Sequence, residues 1–550
     1  MKKRSIVMLL ILFLSIFMLT GCTDLSNLFV SVAKVTTTTN SSNETTKTIN
    51  GGTTTVVITT TTADGGDTHT TKVVEVTTTL PNSDNYYKIE NVSYTAHDLG
   101  LNNEFYDWRY LPSIGEQKIL VIPVKIAEYA SEATEKVRTE INEVMFGDPK
   151  NNKLYWESLS SFYYKSSYGK LSISGEVTNY MYNDYTLASF ESHDDDEEDN
   201  PLQDLYDDFD SFVLSEGIDT KEYDNDNDGF VDLVMFIYVC EHSTEDNNLN
   251  DNYWAYCTSA DFDSNKEKPT LNNYIWASYD FMYESPTYSF DKKLDAHTYI
   301  HESGHAMGLD DYYNSCDDNY EDNDAVGSNI MMSNNICDHD AYSKFALGWI
   351  NPYVVTGNAS ITINPICESG DAIILPIGDF ENNAYAQYLI FEYYTPDGLN
   401  EKDTLKRYRS VRGISGSGIR VFYIDSRVCI SDNDENTTII NVISDYDKDK
   451  YTGLYPAFSN NPEFSILNEF KGTGIKPEED DHLNLIQLID ASTNSLYYEY
   501  EEATSSQLFT SRKVLDTSLI NFHLSATLNY TVTFTRNLDN TYTLNFTNNR

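Results

Sequence analysis

The segment His301-Glu302-Ser303-Gly304-His305, with Gly308 and Asp311 after it, restricts this chain more than any other feature. In an α-helix, residues four apart project from one face, so the two imidazoles can share one metal ion, with Glu302 beside them. Zinc held by two neutral histidines and one further ligand keeps a position open to water and lowers its pKa, and a nearby carboxylate can take the proton. Gly308 can end the helix with positive φ and reverse the chain, so that Asp311, ten residues after His301, returns towards the metal. Asp310 competes with it at the same turn, and Glu321 is a more distant candidate. The expected roles are His301, His305 and an aspartate as zinc ligands, with Glu302 as general base.

The N-terminus predicts export. Lys2-Lys3-Arg4 is followed by an apolar run from Ser5 to Met18 and then by Leu19-Thr20-Gly21-Cys22. This is the layout of a signal peptide. Its last four residues resemble the bacterial lipobox, which implies removal of residues 1–21, a lipid on Cys22 and attachment to the outer face of the cell membrane. Outside the cytoplasm the six remaining cysteines permit disulfides, but no C-x-x-C pair supports a cysteine-bound zinc. With 86 acidic against 37 basic residues the formal net charge is −49, which repels a nucleic-acid backbone and favours divalent cations.

Residues 22–84 form a Thr-rich linker, exemplified by Thr36-Thr37-Thr38-Thr39, too polar to offset chain entropy by burial. From 85 to 350 the pattern is mixed α/β. The run from Lys118 to Val124 reads as a buried strand, with Pro123 placing it at an edge or a strand end. Helical patterns cover Ser131 to Met145 and Leu154 to Tyr164, and strand patterns cover Lys170 to Tyr182 and Val231 to Val239. Residues 351–550 are richer in strand-like runs, at Ala372 to Pro376, Ala386 to Tyr394, Gly418 to Ile424 and Thr531 to Phe546. A β-rich, sandwich-like region is expected there.

The segment from His301 to Tyr313 resembles the immune inhibitor A-like metallopeptidases, relatives of the metzincins. The resemblance extends to Asn329-Ile330-Met331-Met332-Ser333, to Lys344-Phe345-Ala346-Leu347-Gly348-Trp349-Ile350, and to Ser160 through Leu171. It implies a metzincin-like zinc protease catalytic domain, selects Asp311 over Asp310 as third ligand, and places Met332 in a turn forming a floor beneath the zinc. The family usually has an aromatic and an acidic residue ahead of that methionine, where Asn329-Ile330-Met331 stands here.

A second constellation, Asp224-Asn225-Asp226-Asn227-Asp228-Gly229-Phe230-Val231-Asp232, sets Asp224, Asp226, Asp228 and Asp232 at the front positions of an EF-hand-type calcium loop, with glycine at the sixth. The usual closing glutamate is replaced by Met235. Calcium is the cofactor expected at this loop. Together these features predict a membrane-anchored zinc endopeptidase acting on extracellular proteins or peptides. The competing expectation is a surface binding protein on an inactive protease fold, which the retention of both histidines and Glu302 disfavours.

Overall fold

The computed structural model describes residues 53–54, 78–79, 85–99, 110–181, 185–189, 201–244, 249, 253–260, 263–286, 292–313, 325–426, 428–432, 436–439, 454–456, 484–497, 502–523 and 526–550. Two units separate, Met1–Thr79 and Leu80–Arg550. In the first, Thr53–Thr54 pairs antiparallel with Thr78–Thr79. Cys22 lies outside the described residues, as does Glu321.

In the second unit, a short strand β1 (Tyr86–Lys88) comes first. The mixed sheet that follows is made of β2 (Gly115–Val124), β3 (Leu171–Val177), β4 (Val234–Tyr238), β5 (Tyr256–Ser259) and β6 (Asn273–Ser278). Its order is β3-β2-β4-β6-β5, with every pairing parallel except that of β5 with β6. A parallel sheet is covered on both faces, so β4 and β6 are buried at every residue. Pro123 pairs with Ile237 inside this sheet and is next to last in β2, so its missing N–H falls at a strand end rather than an edge.

Helices α1 (Glu135–Phe146) and α2 (Leu159–Ser166) share one core with this sheet. α2 starts at Leu159 rather than Leu154 because Ser158 and Ser161 form a reciprocal capping box. Helix α3 (His297–Ala306) packs into the same core, and the Tyr163 hydroxyl donates to Ile300 O at 2.6 Å. After it come α4 (Met331–Asn334) and α5 (Ala341–Ala346).

Two further sheets are made of β7 (Tyr353–Val355), β8 (Ala359–Ile363), β9 (Ala372–Pro376), β10 (Gln387–Tyr394), β11 (Gly418–Asp425), β12 (Ile486–Asp490), β13 (Ser495–Leu496), β14 (Val514–Asp516), β15 (Tyr530–Arg536) and β16 (Tyr542–Asn548), with β1. They build a seven-stranded sheet, β13-β12-β11-β10-β9-β7-β1, and a four-stranded sheet, β8-β16-β15-β14. On one face of the larger sheet Ile374, Ile390 and Phe422 share the core of α3. On the other, Ile373, Leu389 and Val421 pack with Ile361, Val532 and Phe546 of the smaller sheet. β10 and β11 are consequently buried along their whole length. Because β1 pairs with β7, residues on both sides of position 350 complete one sheet.

Candidate metal centre

The helix α3 carries the two histidines on one face, and its ends are fixed by side chains rather than by a capping hydroxyl. At the start, Asp295 Oδ1 accepts from the backbone N–H of His297 (2.9 Å) and lies 2.6 Å from its Nδ1. At the end, Gly308 adopts φ +94°, and a Cβ there would fall 2.7 Å from that of Ala96 and 3.0 Å from the Tyr110 ring. Backbone conformation and space both require glycine.

That turn has a second effect. It brings Leu309 O to 2.7 Å from His305 Nδ1, while Met331 O lies 2.8 Å from His301 Nδ1. A carbonyl only accepts, so each Nδ1 carries the hydrogen and each Nε2 is left with its lone pair. The two Nε2 atoms lie 3.2 Å apart, and Asp311 Oδ1 is 3.1 Å from one and 3.2 Å from the other. Two lone pairs and a carboxylate oxygen thus converge on one point, where only a positive charge relieves their repulsion. The donor set, two imidazoles and one carboxylate, is one that zinc takes while keeping an open position.

The same point favours a positive charge of any kind. Burial disfavours a charged His305, but Asp311 outweighs it and pushes the ring up to about 10, so without an ion a proton on Nε2 takes the place a metal would. Burial likewise works against ionised Asp311, yet His305 and His301 hold its carboxyl far below the usual range. Asp310 stays outside the cluster. Burial, helped by Asp311 and opposed by His305, pushes its carboxyl up to about 6, and its field falls on Tyr110, Tyr342 and Tyr385.

Glu302 is 6 % exposed, and burial raises its carboxyl above the ordinary range, with His301 and His305 opposing. A carboxylate so placed is suited to hold a proton in transit. Glu302 raises the pKa of Cys257 on β5 after burial has done most of the work, so the helix and this strand meet at the site. Among the described residues no strand pairs with the outer edge of β5, and an edge of this kind is where an extended chain can add.

Beneath the histidines, a Cβ on Gly304 would fall 2.4 Å from Met332 Sδ, so a larger residue here would make the methionine shift. Met332 is fully buried, and its carbonyl accepts from Tyr312 N at 2.8 Å, tying α4 to the residue after Asp311. The Tyr313 ring stacks on His301 at 6.4 Å. His339 touches the same glycine and sits among Phe162, Tyr163 and Trp349, neutral because burial pushes its pKa well down.

The acidic loop brings together the carboxylates of Asp224, Asp226 and Asp232, but not that of Asp228. Asp228 instead accepts from Phe230 N (2.9 Å), and its own N–H donates to Asp224 (3.1 Å) and Asp226 (3.0 Å). Asp232 accepts from Asn225 N at 2.9 Å, and His97 Nε2 lies 3.1 Å from Asp226. Asn273 of β6 joins loop and helix, since its Nδ2 donates to Asp232 O (3.2 Å) and to Ala306 O (3.0 Å).

Gly304 was given no role within the His301–His305 motif, and Asn273, Cys257 and the Tyr408-Arg409 turn carry no motif. Only the spacing of Gly304 between the histidines could have pointed to one of them. No protein-family model matches the chain, and comparison with curated proteins gives no match.

Proposed function

We propose that this chain is a zinc-dependent endopeptidase with metal ligands His301, His305 and Asp311 and general base Glu302. The observation that carries it is the convergence of two Nε2 lone pairs and Asp311 on one point, each ring fixed through Nδ1 by a backbone carbonyl. When bound, zinc would polarise the scissile carbonyl and favour attack by water. The chain's own residues do the rest. The open edge of β5 holds an extended peptide by backbone pairing. Glu302 accepts the proton of the attacking water and returns it to the leaving amine, for which its raised pKa fits it. Tyr313 fixes the face of His301.

The substrates in this reading are extracellular proteins, with the enzyme attached to the membrane through a lipid on Cys22, and calcium is the ion proposed for Asp224, Asp226 and Asp232. The test is zinc content together with hydrolysis of an unstructured protein. One zinc per chain and activity abolished by a chelator and restored by zinc are expected. Zinc binding without hydrolysis would leave a surface binding protein as the better reading.

A further inference from the structure

Between Tyr408 and Val411 the chain makes a turn closed by two backbone bonds, of 2.9 and 3.0 Å. At its first corner Arg409 has φ +47°, a left-handed backbone that favours glycine and is found strained at functional sites. The side chain is held on three aromatic rings, with Cζ 5.7 Å from Trp254, 5.8 Å from Phe281 and 5.5 Å from Tyr408. Its Nε and Nη2 both donate to one oxygen of Glu284, at 3.1 and 2.7 Å. The same oxygen accepts from the Tyr408 hydroxyl at 2.9 Å, and the other oxygen faces His242 Nε2 at 3.8 Å. Here Nη1 bonds to no described residue, and the side chain keeps 36 % of its exposure.

The platform belongs to the metal cleft. Tyr408 stacks on His297 at 4.3 Å, one turn before His301 on α3. Trp254, 43 % exposed, lies two residues before the open strand β5. The positive charge of Arg409 reaches both Glu302, where with His301 and His305 it opposes burial and Asp311, and Tyr313, where it opposes burial and the neighbouring carboxylates.

We propose that Arg409, held on Trp254, Phe281 and Tyr408, is a specificity-determining residue that binds a substrate carboxylate close to the scissile bond. The inference rests on the peptidase reading above. A guanidinium whose two Nη1 N–H groups bond to no described residue, partly desolvated by aromatic rings, matches a carboxylate better than any neutral group. The carboxylate can come from an acidic side chain or from the chain terminus.

The experiment uses the zinc-loaded protein and a fluorogenic peptide series of one sequence. Glu or Gln is placed at each position flanking the cleaved bond, and each peptide is made with a free-acid or an amidated end. A charge-assisted hydrogen bond predicts a Glu over Gln, or acid over amide, preference in kcat/KM of about 10- to 100-fold at one position. Which pair shows it identifies the source. In Arg409→Gln this ratio should fall towards one, and in Arg409→Lys part of it should survive. A parent with no carboxylate preference, or a ratio unchanged in Arg409→Gln, overturns the subsite while leaving the peptidase reading intact. If the parent cleaves no peptide, both fall. Should Arg409→Gln fail to fold, Trp254→Ala removes the exposed part of the platform and should lower the same ratio; an unchanged ratio there overturns the proposal.

Discussion

The metal cluster on α3 and the acidic loop before β4 both gather three ligating side chains, yet they spend their hydrogen bonds differently. At the cluster, backbone carbonyls occupy Nδ1 of His301 and His305, so that the two Nε2 atoms face each other and Asp311. In the loop, Asp224 accepts from Asp228 N and Gly229 N, and Asp226 and Asp232 accept from Asp228 N and Asn225 N. The loop is held by its own amides without an ion. The cluster is left with a place for a positive charge, which a metal ion can fill. Ions should therefore matter more, and differently, at the first than at the second.

The largest effect expected is on catalysis. Glu302→Gln should retain zinc and lose about 10²- to 10⁴-fold in kcat, the usual worth of a positioned acid or base. Activity within a few fold of the parent would remove Glu302 from the mechanism. Next is zinc affinity. Asp311→Ala should weaken it by more than about 100-fold, beyond what loss of an outer partner costs, whereas Asp310→Ala should leave zinc stoichiometry near that of the parent. The reverse pattern would move the third ligand one residue back and undo the contrast with the loop.

A third effect tests the charge that anchors α3. His297 is fully buried between Asp295 and Asp403 and between the rings of Trp156 and Tyr408. Burial opposes its charge, but Asp295 and Asp403 outweigh it and push the pKa from 6.5 to about 10. Because the folded value lies above the unfolded one, the stabilisation is complete below about pH 6.5 and is lost as pH rises through about 10. Denaturant melts should show a decline on the order of a few kcal/mol across that window. The decline should be much shallower in His297→Gln, and equal slopes would show that the histidine is neutral.

The smallest effect is at the loop. Calcium bound only to the folded state at about 100 times its Kd adds about 2.7 kcal/mol. Asp224→Ala with Asp232→Ala should abolish any such gain in melting temperature, and Asp228→Ala should reduce it less, since its carboxylate lies outside the trio. No calcium effect in a zinc-loaded sample would make the loop a self-sufficient turn and sharpen the contrast to its limit.

What the sequence disclosed follows from distance along the chain. The pairing of His301 with His305 is a property of helical spacing, and the return of Asp311 depends on one glycine three residues beyond. The acidic loop was legible for the same reason, although three of its four aspartates converge and Asp228 turns to the backbone. Long-range partners were not legible. Arg409 reaches Trp254 and Phe281 across more than a hundred residues, and nothing local marks it except a backbone angle that only coordinates reveal. In the strands, apolar runs located the elements but not their breaks. The stretch from Thr531 to Phe546 folds as the hairpin β15–β16, with Asn540 at φ +63° in its turn, and the run at Val231 to Val239 divides into Phe230–Val231 and β4.

The seven-stranded sheet has a bearing on how this protein can be processed. Its first strand in the chain, Tyr86–Lys88, lies at one edge, and its central strands serve the cores on both faces. A cut near position 350 would strip the α3 core of one wall and leave an apolar sheet face in water, which favours aggregation over an active fragment. A fragment that keeps this sheet whole must therefore begin upstream of Tyr86.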